Sequence, residues 1–167
     1  AREKPSYDGA EPSGNSVAAL NLLRLEQLTG KGEYRNRALK VFQAFSQSMA
    51  RYGRSVPKML TALDYFLDEP IQVVIVQPGD GAKSDPLREL VAQTFIPNHA
   101  YTFFAESKQK ELVKDLPVIQ GKKPIRGKAT AYVCRGPICS LPITDVSKLK
   151  LELAKVDPYK TPFASLK

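Results

Sequence analysis

An α+β fold is predicted for this 167-residue chain: three antiparallel helices, then a small three-stranded α/β unit with a mainly parallel sheet. Three observations carry the prediction. Apolar residues recur at helical spacing as far as Leu67. The period then changes at Asp68-Glu69-Pro70. A β-branched run from Ile71 to Val76 follows, the pattern of a strand buried on both faces. The matching division is a helical segment over residues 1–69, an α/β domain over 70–157 and a loose tail over 158–167.

Residues 1–14 contain Pro5, Gly9, Pro12 and Gly14 and read as an extended entry loop. Ser13 or Asn15 can cap a first helix from Ser16 to about Leu28, stopped at Thr29-Gly30. Val17, Leu20, Leu22, Leu23, Leu25 and Leu28 surround much of it, so it is expected between layers rather than on a surface. A second helix is expected from about Gly32 to Tyr52, with Tyr34, Ala38, Val41, Phe42, Phe45, Met49 and Tyr52 on its apolar face and Gly53 as its stop. A third starts near Ser55, with Pro57 in its first turn and Val56, Met59, Leu60, Leu63, Phe66 and Leu67 as its stripe. Short glycine-containing turns between them predict antiparallel hairpins.

In the second half, Asp85-Pro86 supplies a cap and a first-turn proline for a helix with Leu87, Leu90, Val91 and Phe95 inside. Ala100–Ala105 is the second strand, and the strand–helix–strand order predicts a parallel pair. A short helix near Ser107–Lys114 precedes a basic loop and a third strand at about Thr130–Cys134. Thr144 or Asp145 caps a last helix with Val146, Leu149, Leu153 and Val156 inside.

Composition narrows the function classes. Apolar residues at 43% and charged residues at 25% describe a globular chain. No stretch approaches the roughly 20 uncharged apolar residues that cross a bilayer, so no membrane partner is expected. A chain opening at Ala1-Arg2-Glu3-Lys4-Pro5, without a signal peptide, reads as a cut piece of a longer protein. The net charge of +8 is spread along the sequence. Its densest cluster, Lys122 to Lys128, reads as a solvated loop, and a nucleic-acid partner is not expected. Two cysteines are too few for a stapled scaffold, which leaves a reducing, cytoplasmic compartment as the default.

Four stretches could carry chemistry. The loop from Asp8 to Ser16 gathers two carboxylates, an amide and hydroxyls at a helix start. Asp8 or Glu11 could move a proton there, or the same residues could simply cap the helix and complement its dipole. Cys134 and Cys139 stand five apart at a strand end, as a redox pair, half of a metal site, or two buried inert thiols. His99 is the only histidine, so the chain offers at most three thiol or imidazole ligands and no metal is expected. Gly79-Asp80-Gly81-Ala82-Lys83-Ser84 lies where α/β folds bind phosphate, but it lacks both glycine-rich spellings. No motif calls for a cofactor.

The spelling Asp-Gly-Ala-Glu-Pro-Ser-Gly-Asn-Ser-Val-Ala-Ala-Leu-Asn-Leu-Leu-Arg-Leu over residues 8–25 resembles the YyaL-type proteins, relatives of the spermatogenesis-associated thioredoxin-like protein of animals. The likeness returns at Phe95-Ile96-Pro97-Asn98, and again from Ala129-Thr130-Ala131-Tyr132-Val133-Cys134 to Cys139-Ser140-Leu141-Pro142-Ile143-Thr144-Asp145. The resemblance implies a thioredoxin-like domain, then a six-hairpin α/α toroid similar to sugar epimerases and glycosidases, then this C-terminal region. The three helices would be the toroid's last hairpins. Asp8, Glu11 and Asn15 would face its cavity and contact a carbohydrate-like ligand, with the missing N-terminal part of the same protein as partner and no activity expected of this piece alone. Two alternatives stand beside this. The α/β unit could be a docking module for the thioredoxin-like domain, or Cys134 and Cys139 could form a redox pair.

Overall fold

A computed structural model describes residues 7–68, 70–79 and 85–155. The first six residues of the entry loop, residues 80–84 of the Gly79 loop, Val156 and the tail lie outside the described residues. The α+β class holds, and the chain forms two compact units divided after Asp68.

The helical unit contains α1 (Gly14–Thr29), α2 (Gly32–Ala44), α3 (Ser46–Tyr52) and α4 (Pro57–Leu67). Ser13 caps α1, its Oγ accepting from the Ser16 amide at 3.2 Å. Gly30 ends α1 with a φ of 68°, a backbone only glycine adopts without strain, and its N–H closes on the Glu26 carbonyl. Ala19, Ala38 and Ala62 let α1, α2 and α4 approach closely around Leu20, Leu23, Phe42, Met59 and Tyr65. Phe66 sets its ring edge-on to Phe42 and lies under the Arg35 guanidinium, which also donates to the Phe66 carbonyl.

The three expected helices are four. The second breaks at Phe45, which takes φ −108° and ψ 11° as its side chain turns into the core. Tyr52, expected inside, is exposed. Gly53 keeps right-handed angles and leads into a 3-10 turn, so Pro57 at the first turn of α4 marks the next start. On α1, Val17 and Leu25 are exposed while Ala19, Leu20 and Leu23 are buried, so the helix buries one side within this unit.

The α/β unit is built on β1 (Ile71–Gln77), buried along its whole length. It adds α5 (Pro86–Gln93), β2 (His99–Ala105), α6 (Gln109–Leu112), β3 (Thr130–Arg135), β4 (Ile138–Cys139) and α7 (Val146–Ala154). The sheet runs β2-β1-β3-β4. One face carries Val73 and Ile75 with Leu87 and Val91 of α5 and Leu149 and Leu153 of α7. The other carries Val74, Val76 and Phe104 beneath Ile119, Leu112 and Leu116. Alternate residues of β1 therefore enter different cores.

The expected three-stranded, mainly parallel sheet is corrected to a four-stranded mixed one. β1 and β2 pair in parallel, but β1–β3 and β3–β4 are antiparallel. The connection over residues 106–129 returns the chain beside the far end of β1, where Thr130 pairs with Val76, and β3 must then run back. Phe95, expected inside α5, is instead 83% exposed beyond its end, and Ile96 is buried in its place.

Candidate functional site

β4 exists because two residues, Gly136 and Pro137, reverse the chain after β3. Gly136 has a φ of 50°, at the position that takes glycine in type II′ hairpin turns. Arg135 pairs with Ile138 and Cys134 with Cys139, and beyond them the Ser140 amide donates to the Val133 carbonyl at 2.8 Å. A five-residue spacing across a two-residue turn thus puts both thiols directly opposite each other on neighbouring strands. They are disulfide-bonded. Cys134 is 2% exposed and Cys139 is exposed, which corrects the expectation of two buried inert thiols.

On the α7 face of the hairpin lies an open pocket of about 200 Å³, walled by Val133, Arg135, Ile138 and Ser140 and by Glu152 and Lys155 from the end of α7, while Cys134 and Cys139, alternating with these residues, lie on the opposite face of the strands. Lys155 Nζ donates to Glu152 Oε2 at 2.6 Å. Asp145 fixes the start of that helix, its Oδ1 accepting from the Lys148 amide at 2.9 Å. The sequence reading singled out the two cysteines but none of these neighbours. Their only signal was an acid and a base three apart near the end of an expected helix.

The Asp8 loop is a capping device. Asp8 is buried; its Oδ1 accepts from the Ser13 amide at 2.8 Å, and its Oδ2 from the Lys58 and Met59 amides at 2.9 and 3.1 Å. Its own amide donates to the Ser55 carbonyl. One carboxylate therefore serves the starts of α1 and α4 together. Burial pushes its pKa up, but bonds from Ser13, Ser16, Met59 and Lys58 together hold it below the ordinary 3.8. Asp8, expected to contact a ligand, thus has both oxygens occupied by backbone. Glu11 is exposed on the same loop and Asn15 is partly buried in the first turn of α1.

His99 Nδ1 donates to the Ile96 carbonyl at 2.6 Å. The basic segment is exposed at Lys123, Arg126 and Lys128, as a solvated loop should be, while its backbone is held: Gln109 Nε2 donates to the Ile119 and Lys122 carbonyls, and Tyr132 Oη bonds the Lys123 amide and carbonyl. Lys122 lies over the Tyr132 ring, and burial lowers its pKa.

The chain is similar over 149 residues, 89% of its length, to proteins named spermatogenesis-associated protein 20: 35% identical in Homo sapiens, 34% in Rattus norvegicus and 32% in Mus musculus. An uncharacterised protein of Caenorhabditis elegans is 28% identical over 147 residues. The chain spans 19% of the length of each of these relatives. No family model and no solved structure matches it.

Proposed function

The chain belongs to the family of spermatogenesis-associated protein 20, and from that premise we propose that its α/β unit is a thiol–disulfide module working through Cys134 and Cys139. We read it as the C-terminal region of a longer protein, given the small share of its relatives that it spans. The observation that carries the redox reading is the asymmetric pair: one cysteine exposed, its bonded partner buried. Exchange needs one sulfur that an incoming thiolate can reach and a second that re-forms the bond once the first is occupied. Cys139 meets the first need, and Cys134, held opposite it across the hairpin, meets the second.

The order strand–helix–strand, then helix, hairpin and helix, with the sheet order β2-β1-β3-β4, resembles the strand order of thioredoxin-like folds, and that fold-level analogy supports this reading. The cysteines are displaced within it. Between β1 and α5, where such proteins carry Cys-x-x-Cys, the sequence from Pro78 to Asp85 has no cysteine, and the pair sits on the hairpin instead. The carbohydrate reading has no comparable support, since Asp8 is committed to two helix starts.

Equilibration of the folded chain in glutathione redox buffers, followed by alkylation and mass spectrometry, tests the proposal. Both thiols should appear and disappear together, with a midpoint between roughly −180 and −300 mV, the span of exchanging protein dithiols. A pair that stays oxidised until the chain unfolds, or thiols that titrate separately, would overturn it.

A further inference from the structure

Resting on that reading, we infer that the substrate is an extended polypeptide segment that pairs with the open edge of β4 and sets its own cysteine opposite Cys139. The hydrogen-bond pattern of the hairpin opens that edge. Val133 and Ala131 turn their backbone groups toward the returning chain: the Ser140 amide donates to the Val133 carbonyl at 2.8 Å, and Ala131 exchanges both its bonds with Ile143. Bonded pairs alternate along an antiparallel ladder, so Cys134 and Cys139 form a non-hydrogen-bonded pair, and the amide and carbonyl of Cys139 point outward. Among the described residues no strand lies beyond β4. Pro137 and Pro142 bracket the edge and limit it to a short segment rather than a whole sheet.

A segment paired antiparallel there makes a hydrogen-bonded pair with Cys139. Its opposing residue stands about 5.5 Å away, Cα to Cα, within the span of disulfides, with its side chain on the same face as the two sulfurs. It also approaches from the side away from Cys134, in line with the bond to be broken. Ile138 and Leu141, both exposed, give the segment apolar contacts, and among the described residues Arg135 makes no ion pair. Arg135, Ile138 and the residue after the segment's cysteine stand in one row on the α7 face. The outer two are about 9.6 Å apart, two strand spacings. A Glu at that position lays its methylenes on Ile138 and brings its carboxylate to the guanidinium. The segment that fits is therefore extended and carries a Cys-Glu step.

The step balances without a further oxidant. The segment's thiol loses its proton, and its sulfur attacks Cys139. A new sulfur–sulfur bond forms there as the Cys134–Cys139 bond breaks, and the electron pair leaves on Cys134, which takes up the proton. A second cysteine of the substrate then attacks the first, and Cys139 leaves with the electron pair and that cysteine's proton. The substrate dithiol ends as a disulfide and this chain as a dithiol; without a second cysteine, Cys134 re-attacks and restores the start.

The test uses the full chain, oxidised, and a short synthetic dithiol peptide containing Val-Cys-Glu and a second cysteine. Its twin is methylated on the amide nitrogen of the first cysteine, which removes a strand hydrogen bond without touching the protein. Each rate is divided by that probe's rate against hydroxyethyl disulfide, to remove intrinsic thiol reactivity. The peptide should react about tenfold faster than its twin. Glu after the cysteine should beat Lys about fivefold, and Arg135→Glu should reverse that order. Acid-quenched mixtures should carry the peptide on Cys139. Equal corrected rates for peptide, twin and glutathione, or an adduct on Cys134, would overturn the edge assignment while leaving the redox pair intact. A dimer of the oxidised chain that Ile138→Lys splits, with no advantage for the peptide over its twin, would also overturn it, in favour of a second copy. A disulfide inert to every thiol in the folded chain would overturn the redox reading itself.

Discussion

At the scale of single residues the molecule separates polar groups that build from polar groups that can react. Asp8 builds. Its carboxylate accepts three backbone amides across two helix starts; Asn keeps one acceptor oxygen, so Asp8→Asn should destabilise the chain by about 1 kcal/mol at neutral pH, the loss of one ordinary cap. The folded pKa of Asp8 lies below its unfolded value near 3.8. Its contribution is therefore complete above 3.8 and is lost as pH falls through the lower folded value. Denaturant titrations of wild type and Asp8→Asn at pH 7 and pH 2 check this; the gap between them should close at the acid end, and a constant gap would refute the ionic cap. The sequence showed that the loop was rich in carboxylates and hydroxyls, and even that capping could use them. It could not show that Lys58 and Met59, fifty positions away, would take the second oxygen. For Cys134 and Cys139 the missing information was one glycine: once Gly136 turns the chain, their spacing puts them opposite each other.

At the scale of elements, what was legible depended on length. β1 announced itself through Val73, Val74, Ile75 and Val76, because a strand buried on both faces needs no alternation. Asp85-Pro86 and Gly30 marked helix ends by local chemistry and were found where the sequence placed them. The break at Phe45 had no glycine or proline to mark it, and β4, two residues long, fell below any period. The direction of β3 depended on where a 24-residue connection over 106–129 delivered the chain, which no local pattern encodes. Two predictions belong here. Ile75→Ala, at a fully buried site in the central strand, should cost about 3 kcal/mol in denaturant unfolding. Gly136→Val forces a branched side chain to a φ of 50°, at a cost of about 1 kcal/mol. That strain acts on the hairpin holding the thiols opposite each other, so the disulfide's equilibrium constant against glutathione should fall about fivefold. An unchanged constant would mean that the turn does not set the pairing.

At the scale of the whole chain, each unit keeps its own interior: one core for the helices, and two on opposite faces of the sheet. Units with separate cores open as separate cooperative blocks. The disulfide closes a loop of five-residue separation, worth about 2 kcal/mol in the chain-entropy account. Reduction should therefore speed amide exchange in β1, β3 and α7 by roughly thirtyfold where exchange follows unit opening, and leave α1 and α4 as they were. Asp8→Asn should do the reverse. Hydrogen exchange read by mass spectrometry distinguishes the two patterns in one experiment. If reduction instead loosens α1 and α4 as much as the sheet, the thiol chemistry is coupled to the helical unit. Redox state would then control the part of the chain that carries Glu11 and Asn15, and those two residues would become the next to substitute.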